Sequence, residues 1–85
     1  MTDYINVDEI DKNQREVMLF VDFWVREKKT PVPQKEIVAI MLTKKVPMPT
    51  TIYSIQILLK KGYIRRAITI SNKRSYVQLR RVNGS

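Results

Sequence analysis

The chain has 85 residues, 44% of them apolar, with 16 Lys and Arg against 8 Asp and Glu for a formal charge of +8, which suits one small folded domain and argues against a disordered basic tail. It contains no His and no Cys, so zinc-finger ligation, disulfide bonding and Ser-His or Cys-His nucleophilic catalysis are excluded, and the lack of thiols fits a reducing cytoplasm. The charge is segregated: residues 1–36 carry six basic and eight acidic side chains (−2), residues 37–85 carry ten basic and none acidic (+10), and the last carboxylate is Glu36.

Residues 1–10 have little periodicity and form an expected N-terminal arm. The stretch is acidic and polar, unlike the basic-then-apolar order of an export signal, and apolar runs such as Val17 to Val21 are far short of the roughly 20 residues that cross a bilayer. The expectation is a soluble, cytoplasmic chain with no membrane partner. Asp11 followed by Gln14 forms a capping-box pattern, which predicts a helix from Asp11 to about Lys28. Val17, Phe20, Val21 and Trp24 share one face of that helix, Lys28 and Lys29 complement its C-terminal dipole, and Thr30-Pro31 stops it. Met18, Leu19, Phe23 and Val25 widen the apolar surface beyond what one core face requires. Two explanations stand: burial on two sides by the arm, or a dimer interface built on Leu19, Phe23 and Trp24.

The middle of the chain contains an echo. PVPQKEIVAIMLTKK from Pro31 and PMPTTIYSIQILLKK from Pro47 are both fifteen residues long and are offset by sixteen, shorter than the period of about 20 to 50 of repeat architectures. They read as one punctuation applied to two successive helices, with proline at the start and lysines at the end. In the second helix Ile37, Ile40 and Met41 are expected inward. In the third, Ile52, Ile55, Leu58 and Leu59 form the expected buried face, leaving Thr50, Thr51, Tyr53, Ser54, Ile57, Lys60 and Lys61 toward solvent. Gly62 ends it.

The period then changes to two. Ile64, Ile68 and Ile70 alternate with outward residues, SNKRS at 71–75 is a polar turn, and Val77 and Leu79 resume the alternation. This predicts a hairpin decorated by Arg65, Arg66, Asn72, Lys73, Arg74, Arg80 and Arg81, followed by a disordered tail at 83–85. Three helices and then a two-stranded ribbon is the order of a winged helix, an α+β, mainly helical fold spanning 11–82.

The segment ILLKKGYIRRA at 57–67 resembles the end of the recognition helix and the start of the wing in MarR-type regulators and the LexA N-terminal domain. IDKNQREVMLFV at 10–21 is similar to the capped first helix of the LexA domain, and the resemblance covers about residues 10–82. Between the second and third helices LTKKVPMPT departs from it, placing a proline-bracketed turn where a Gly-containing turn and a Ser or Thr cap are usual. The resemblance implies that the start of the third helix enters the major groove with Pro49, Thr50, Tyr53 and Ser54 at base-contacting positions, and that Lys73 and Arg74 at the wing tip reach phosphate or minor groove.

Side-chain chemistry is compatible with that site. Thr50, Thr51, Tyr53 and Ser54 supply hydroxyls or methyls for base edges, and Lys60, Lys61, Arg65 and Arg66 supply charge. Each has a plainer explanation: capping for Thr50 and Thr51, packing against the first helix for Tyr53, a solvated face for the cations. No Arg, Asn or Gln occupies the first turn of the third helix, and Gln56 is a turn further on, so sequence preference is expected to be soft or to lean on DNA shape. A one-signed surface suits nucleic acid, an anionic membrane or an acidic protein. Enzyme activity is not expected: the carboxylates read as caps and surface pairs, the only glycines are Gly62 and Gly84, and no phosphate loop, metal site or cofactor motif is visible. The expected function is double-stranded DNA binding by a small homodimeric regulator, such as a repressor of bacterial, plasmid or phage type, associated with the nucleoid. The alternatives are a DNA replication or partition accessory factor and a protein-interaction winged helix that docks an acidic partner.

Overall fold

A computed structural model describes residues 4–5, 10–67, 74–78 and 81–82. Helix α1 spans Lys12–Lys28 and begins as its sequence predicts, with Asp11 at the N-cap accepting the Gln14 backbone N–H at 2.8 Å. The Gln14 side-chain amide reaches back to the Asp11 carboxylate at 3.3 Å, where a full capping box would bond the cap's backbone N–H. Arg26 and Lys28 lie in the last turn, and Lys29 closes the helix at φ 58 with its N–H on the Val25 carbonyl.

Helix α2 spans Gln34–Thr43 and α3 spans Met48–Lys60, each with proline at its N-cap, Pro33 and Pro47, and Pro49 in the first turn of α3. The four residues between them, 44–47, contain no glycine, and Lys45 takes the left-handed conformation at φ 64. Its N–H bonds the Leu42 carbonyl, and the Lys44 and Val46 N–H groups both bond Met41. Backbone hydrogen bonds thus hold a conformation that normally favours glycine. After α3, Gly62 has φ 76. A Cβ there would meet nothing within 4 Å, so dihedral freedom, and not space, is what glycine supplies.

The expected two-stranded ribbon is a three-stranded antiparallel sheet. Strands β2 (Val32–Pro33), β3 (Ile64–Arg66) and β4 (Ser75–Gln78) lie in the order β2-β4-β3, with Val32 opposite Tyr76, Pro33 opposite Ser75, Arg65 opposite Val77 and Arg66 opposite Tyr76. The added strand has only two residues and ends in a proline that cannot donate to a ladder, which an edge position tolerates. The buried residues of β4 are Ser75 and Tyr76, 6% and 1% exposed, whereas Val77, expected inward, is half-buried. Part of the arm is ordered: β1 (Tyr4–Ile5) pairs in parallel with β5 (Arg81–Val82), Tyr4 opposite Arg81. The expectations for Ile68, Ile70, Asn72, Lys73, Leu79, Arg80, the Arg81 side chain and the tail at 83–85 lie outside the described residues.

Helix α1 contacts α2, α3, β2, β4 and β5. Val17, Met18 and Val21 are fully buried, and Leu19, Phe20, Trp24 and Val25 pack partly buried against the core formed with Val32, Ile37, Met41, Ile55, Leu58, Ile64 and Tyr76. The wide apolar girth of α1 is therefore used mostly inside the chain, against helices and sheet. Ile37 and Met41 are buried and Ile40 packs beside them, as the spacing of α2 predicts.

Helix α3 differs from expectation in its rotation. Its buried residues are Thr51, Ser54, Ile55 and Leu58, whereas Ile52 is only half-buried. The inward stripe keeps a helical spacing of i, i+3, i+4, i+7 but is turned so that two small polar side chains point in. The architecture is α+β and mainly helical, with a radius of gyration of 12.0 Å. None of the described helices is long and apolar enough to cross a membrane.

Candidate nucleic-acid interface

The rotation of α3 determines which of its side chains can meet a ligand. Thr51 is 0% and Ser54 2% exposed, which corrects their expected outward position: neither can reach a base edge while the helix is packed this way. Thr50 is half-buried, and Pro49, Tyr53, Gln56 and Lys60 are exposed. These four follow one another at i, i+4, i+7 and i+11, one outward stripe down the helix. Tyr53 is 60% exposed, so it does not pack against α1, and Met48 stands 52% exposed beside the N-terminal turn.

Several basic side chains are exposed besides this stripe. Lys45, Lys60, Lys61, Arg65, Arg66 and Arg74 are all exposed, and no acidic residue follows Glu36. Lys44 is exposed as well, and its ammonium lies 3.1 Å from the Glu16 carboxylate. A further ion pair, Arg26 with Asp22 at 3.7 Å, lies within α1.

A second basic corner forms where β4 meets α2. The Gln34 N–H donates to the Arg74 carbonyl at 2.9 Å, and the Tyr76 hydroxyl donates to Gln34 Oε1 at 2.7 Å. A cleft of about 390 Å³ opens there, lined by Pro33, Gln34, Lys35 and Arg74. Burial pushes the Tyr76 phenol above its usual pKa, while the nearby Arg66 and Arg74 charges and an Arg66 hydrogen bond pull it down. Arg66 and Arg74 thus act on one phenol, and Arg74 and Lys35 share one cleft. Lys35 was hidden in the sequence because it lies in the half of the chain whose net charge is −2; the β2–β4 pairing brings it beside Arg74.

The three residues expected at a dimer interface separate. Leu19 packs against the core. Trp24 also packs there, and it donates its indole N–H to the Thr30 hydroxyl at 3.3 Å, lies 5.9 Å from the Phe20 ring and has the Lys28 ammonium 4.9 Å from its centroid. Its polar group and part of its ring surface are already engaged within the chain. Phe23 is 49% exposed. Among the described residues no cluster of three or more acidic, His or Cys side chains could hold a metal ion. No known protein family, curated protein or solved structure matches the chain.

Proposed function

We propose that this protein is a winged-helix domain that binds double-stranded DNA, with α3 in the major groove and the β3–β4 hairpin along the backbone, and that it works as a homodimeric, nucleoid-associated transcriptional regulator. The observation that carries the proposal is the exposure of Lys60, Lys61, Arg65, Arg66 and Arg74 together with the outward stripe of α3, on a part of the chain in which no Asp or Glu follows Glu36. Such a surface releases condensed counterions from a duplex and gains affinity by doing so. The α2–α3 pair adds support, because four residues, 44–47, join them, within the three-to-four-residue turn of helix-turn-helix units. The dimeric part rests on exposed Phe23; a two-fold pair of domains reads half-sites about 34 Å apart.

The test is duplex affinity against salt. Binding is expected in the nanomolar-to-micromolar range, with log K falling by roughly 0.9 per log salt for each phosphate contact. A salt-independent affinity removes the proposal. Failure to bind duplex at physiological salt, with retention on an acidic protein, favours the protein-docking alternative. Binding sites clustered as repeats at an origin, and not at promoters, favour a replication or partition factor.

A further inference from the structure

We infer that Gln56 is the residue that sets base preference, and that the base it selects is adenine. This rests on the DNA-binding reading above and goes further by naming the discriminating side chain and its target.

The inference starts from what α3 can offer to a groove. Its N-terminal tip is Pro47, Met48 and Pro49, and the two prolines have no backbone N–H and no polar side-chain atom. Thr51 and Ser54, which would supply hydroxyls near that tip, are turned into the core. Thr50 beside them is half-buried, so a helix that met the bases end-on would present one partly covered hydroxyl, and most of the hydrogen-bonded readout must come from its flank. That flank is the exposed series Pro49, Tyr53, Gln56, Lys60, which spans about 16 Å at 1.5 Å per residue. The major groove is about 12 Å wide and admits a helix lying along it.

The four residues differ in what they can distinguish. Pro49 has no polar side-chain atom. Tyr53 has one hydroxyl, which serves as donor or acceptor to many edges, and Lys60 has donors only. Gln56 alone carries a carbonyl and an amide side by side, the pair that matches adenine N6 and N7 together. Its side chain has no hydrogen bond to another described residue and is exposed. Tyr53 precedes it and Lys60 follows one turn later on the same face, so an apolar, partly polar wall and a phosphate-seeking ammonium bracket the amide.

Selection of bound sequences from a random duplex pool tests this with the wild-type chain, Gln56→Ala and Gln56→Lys. Wild type is expected to enrich adenine at one position of its site, with roughly 5- to 150-fold discrimination, the range of a single bidentate contact. Gln56→Ala should lose that preference while the salt dependence of its duplex binding stays the same, since a neutral amide neutralises no phosphate, and Gln56→Lys should move the preference to guanine. Far-ultraviolet circular dichroism checks that both variants keep the helical fold. If Gln56→Ala enriches adenine at the same position as wild type, or wild type binds duplex with no base preference, the inference is overturned and DNA binding stands. If wild type binds no duplex at all, the DNA-binding reading falls and takes the inference with it.

Discussion

Tyr76 donates its phenolic hydrogen to Gln34 Oε1 at 2.7 Å across 42 positions of sequence, tying the central strand of the sheet to the first residue of α2. The contact lies at the basic corner, where Arg66 faces Tyr76 across the β3–β4 ladder and the Arg74 carbonyl holds the Gln34 backbone. One buried phenol thereby ties the start of α2 to the strand that follows Arg74 and pairs with Arg65 and Arg66 of β3. Packing and charge placement meet in a single side chain.

This phenol makes stability depend on alkaline pH. Burial raises its pKa above the ordinary 10.0, against the opposing pull of Arg66 and Arg74. Between the unfolded and folded values the native state holds a proton that the unfolded state has released, so the contribution is complete below about pH 10 and is lost as pH rises through the folded value. Urea unfolding midpoints should fall above that pH. Tyr76→Phe should cost about 1 kcal/mol at neutral pH, the net worth of one hydrogen bond, and should show a shallower alkaline decline. Parallel declines in the two proteins would assign the effect to other groups.

The basic corner should contribute to duplex affinity through charge alone. Replacing Lys35 and Arg74 together by Ala is expected to flatten the slope of log K against log salt by roughly 1.8, two contacts at about 0.9 each, and to weaken all sequences alike. Lys44→Ala is the control, because that ammonium already lies 3.1 Å from Glu16. An unchanged slope in the double variant would remove this corner from the interface; an equal loss in Lys44→Ala would point to a nonspecific charge effect.

Leu19 and Phe23 should now behave differently. Leu19 packs against the core, so Leu19→Glu is expected to destabilise the domain by roughly 1–3 kcal/mol through burial of a charge. Phe23 is 49% exposed, so Phe23→Glu should leave the unfolding midpoint nearly unchanged and shift sedimentation toward the monomer. A wild-type chain that sediments only as a monomer at micromolar concentration removes dimerisation from the proposal.

What the sequence made legible was local. The cap at Asp11, the extent of α1, the proline-led starts of α2 and α3 and the stop at Gly62 are each specified within a few residues. Tertiary context decided the remainder. Lys45 takes a left-handed φ with no glycine to signal it, held by hydrogen bonds to the end of α2. Val32–Pro33 becomes a strand only because β4 is beside it. The rotation of α3 was missed because Ile52 and Thr51 compete for the inward position, and hydrophobicity alone favours Ile52. Packing favoured the smaller residue, and this rotation is what moved Gln56 to the middle of the outward stripe.

Thr51 provides the most direct check of that rotation. Its hydroxyl is fully buried with no hydrogen-bond partner, a condition that costs about 1–3 kcal/mol relative to a satisfied group. Thr51→Val keeps the branched shape and removes the orphaned oxygen, so it is expected to stabilise the domain, raising the urea midpoint by an amount equivalent to about 1 kcal/mol, and to leave duplex affinity and sequence preference unaltered. Tyr53→Ala, two positions on and 60% exposed, should do the reverse, with little change in stability and a weakened duplex complex. If Thr51→Val weakens duplex binding at unchanged stability, Thr51 faces outward and the stripe centred on Gln56 is wrong. If it destabilises the fold instead, the hydroxyl is satisfied by an internal water, and the inward position stands.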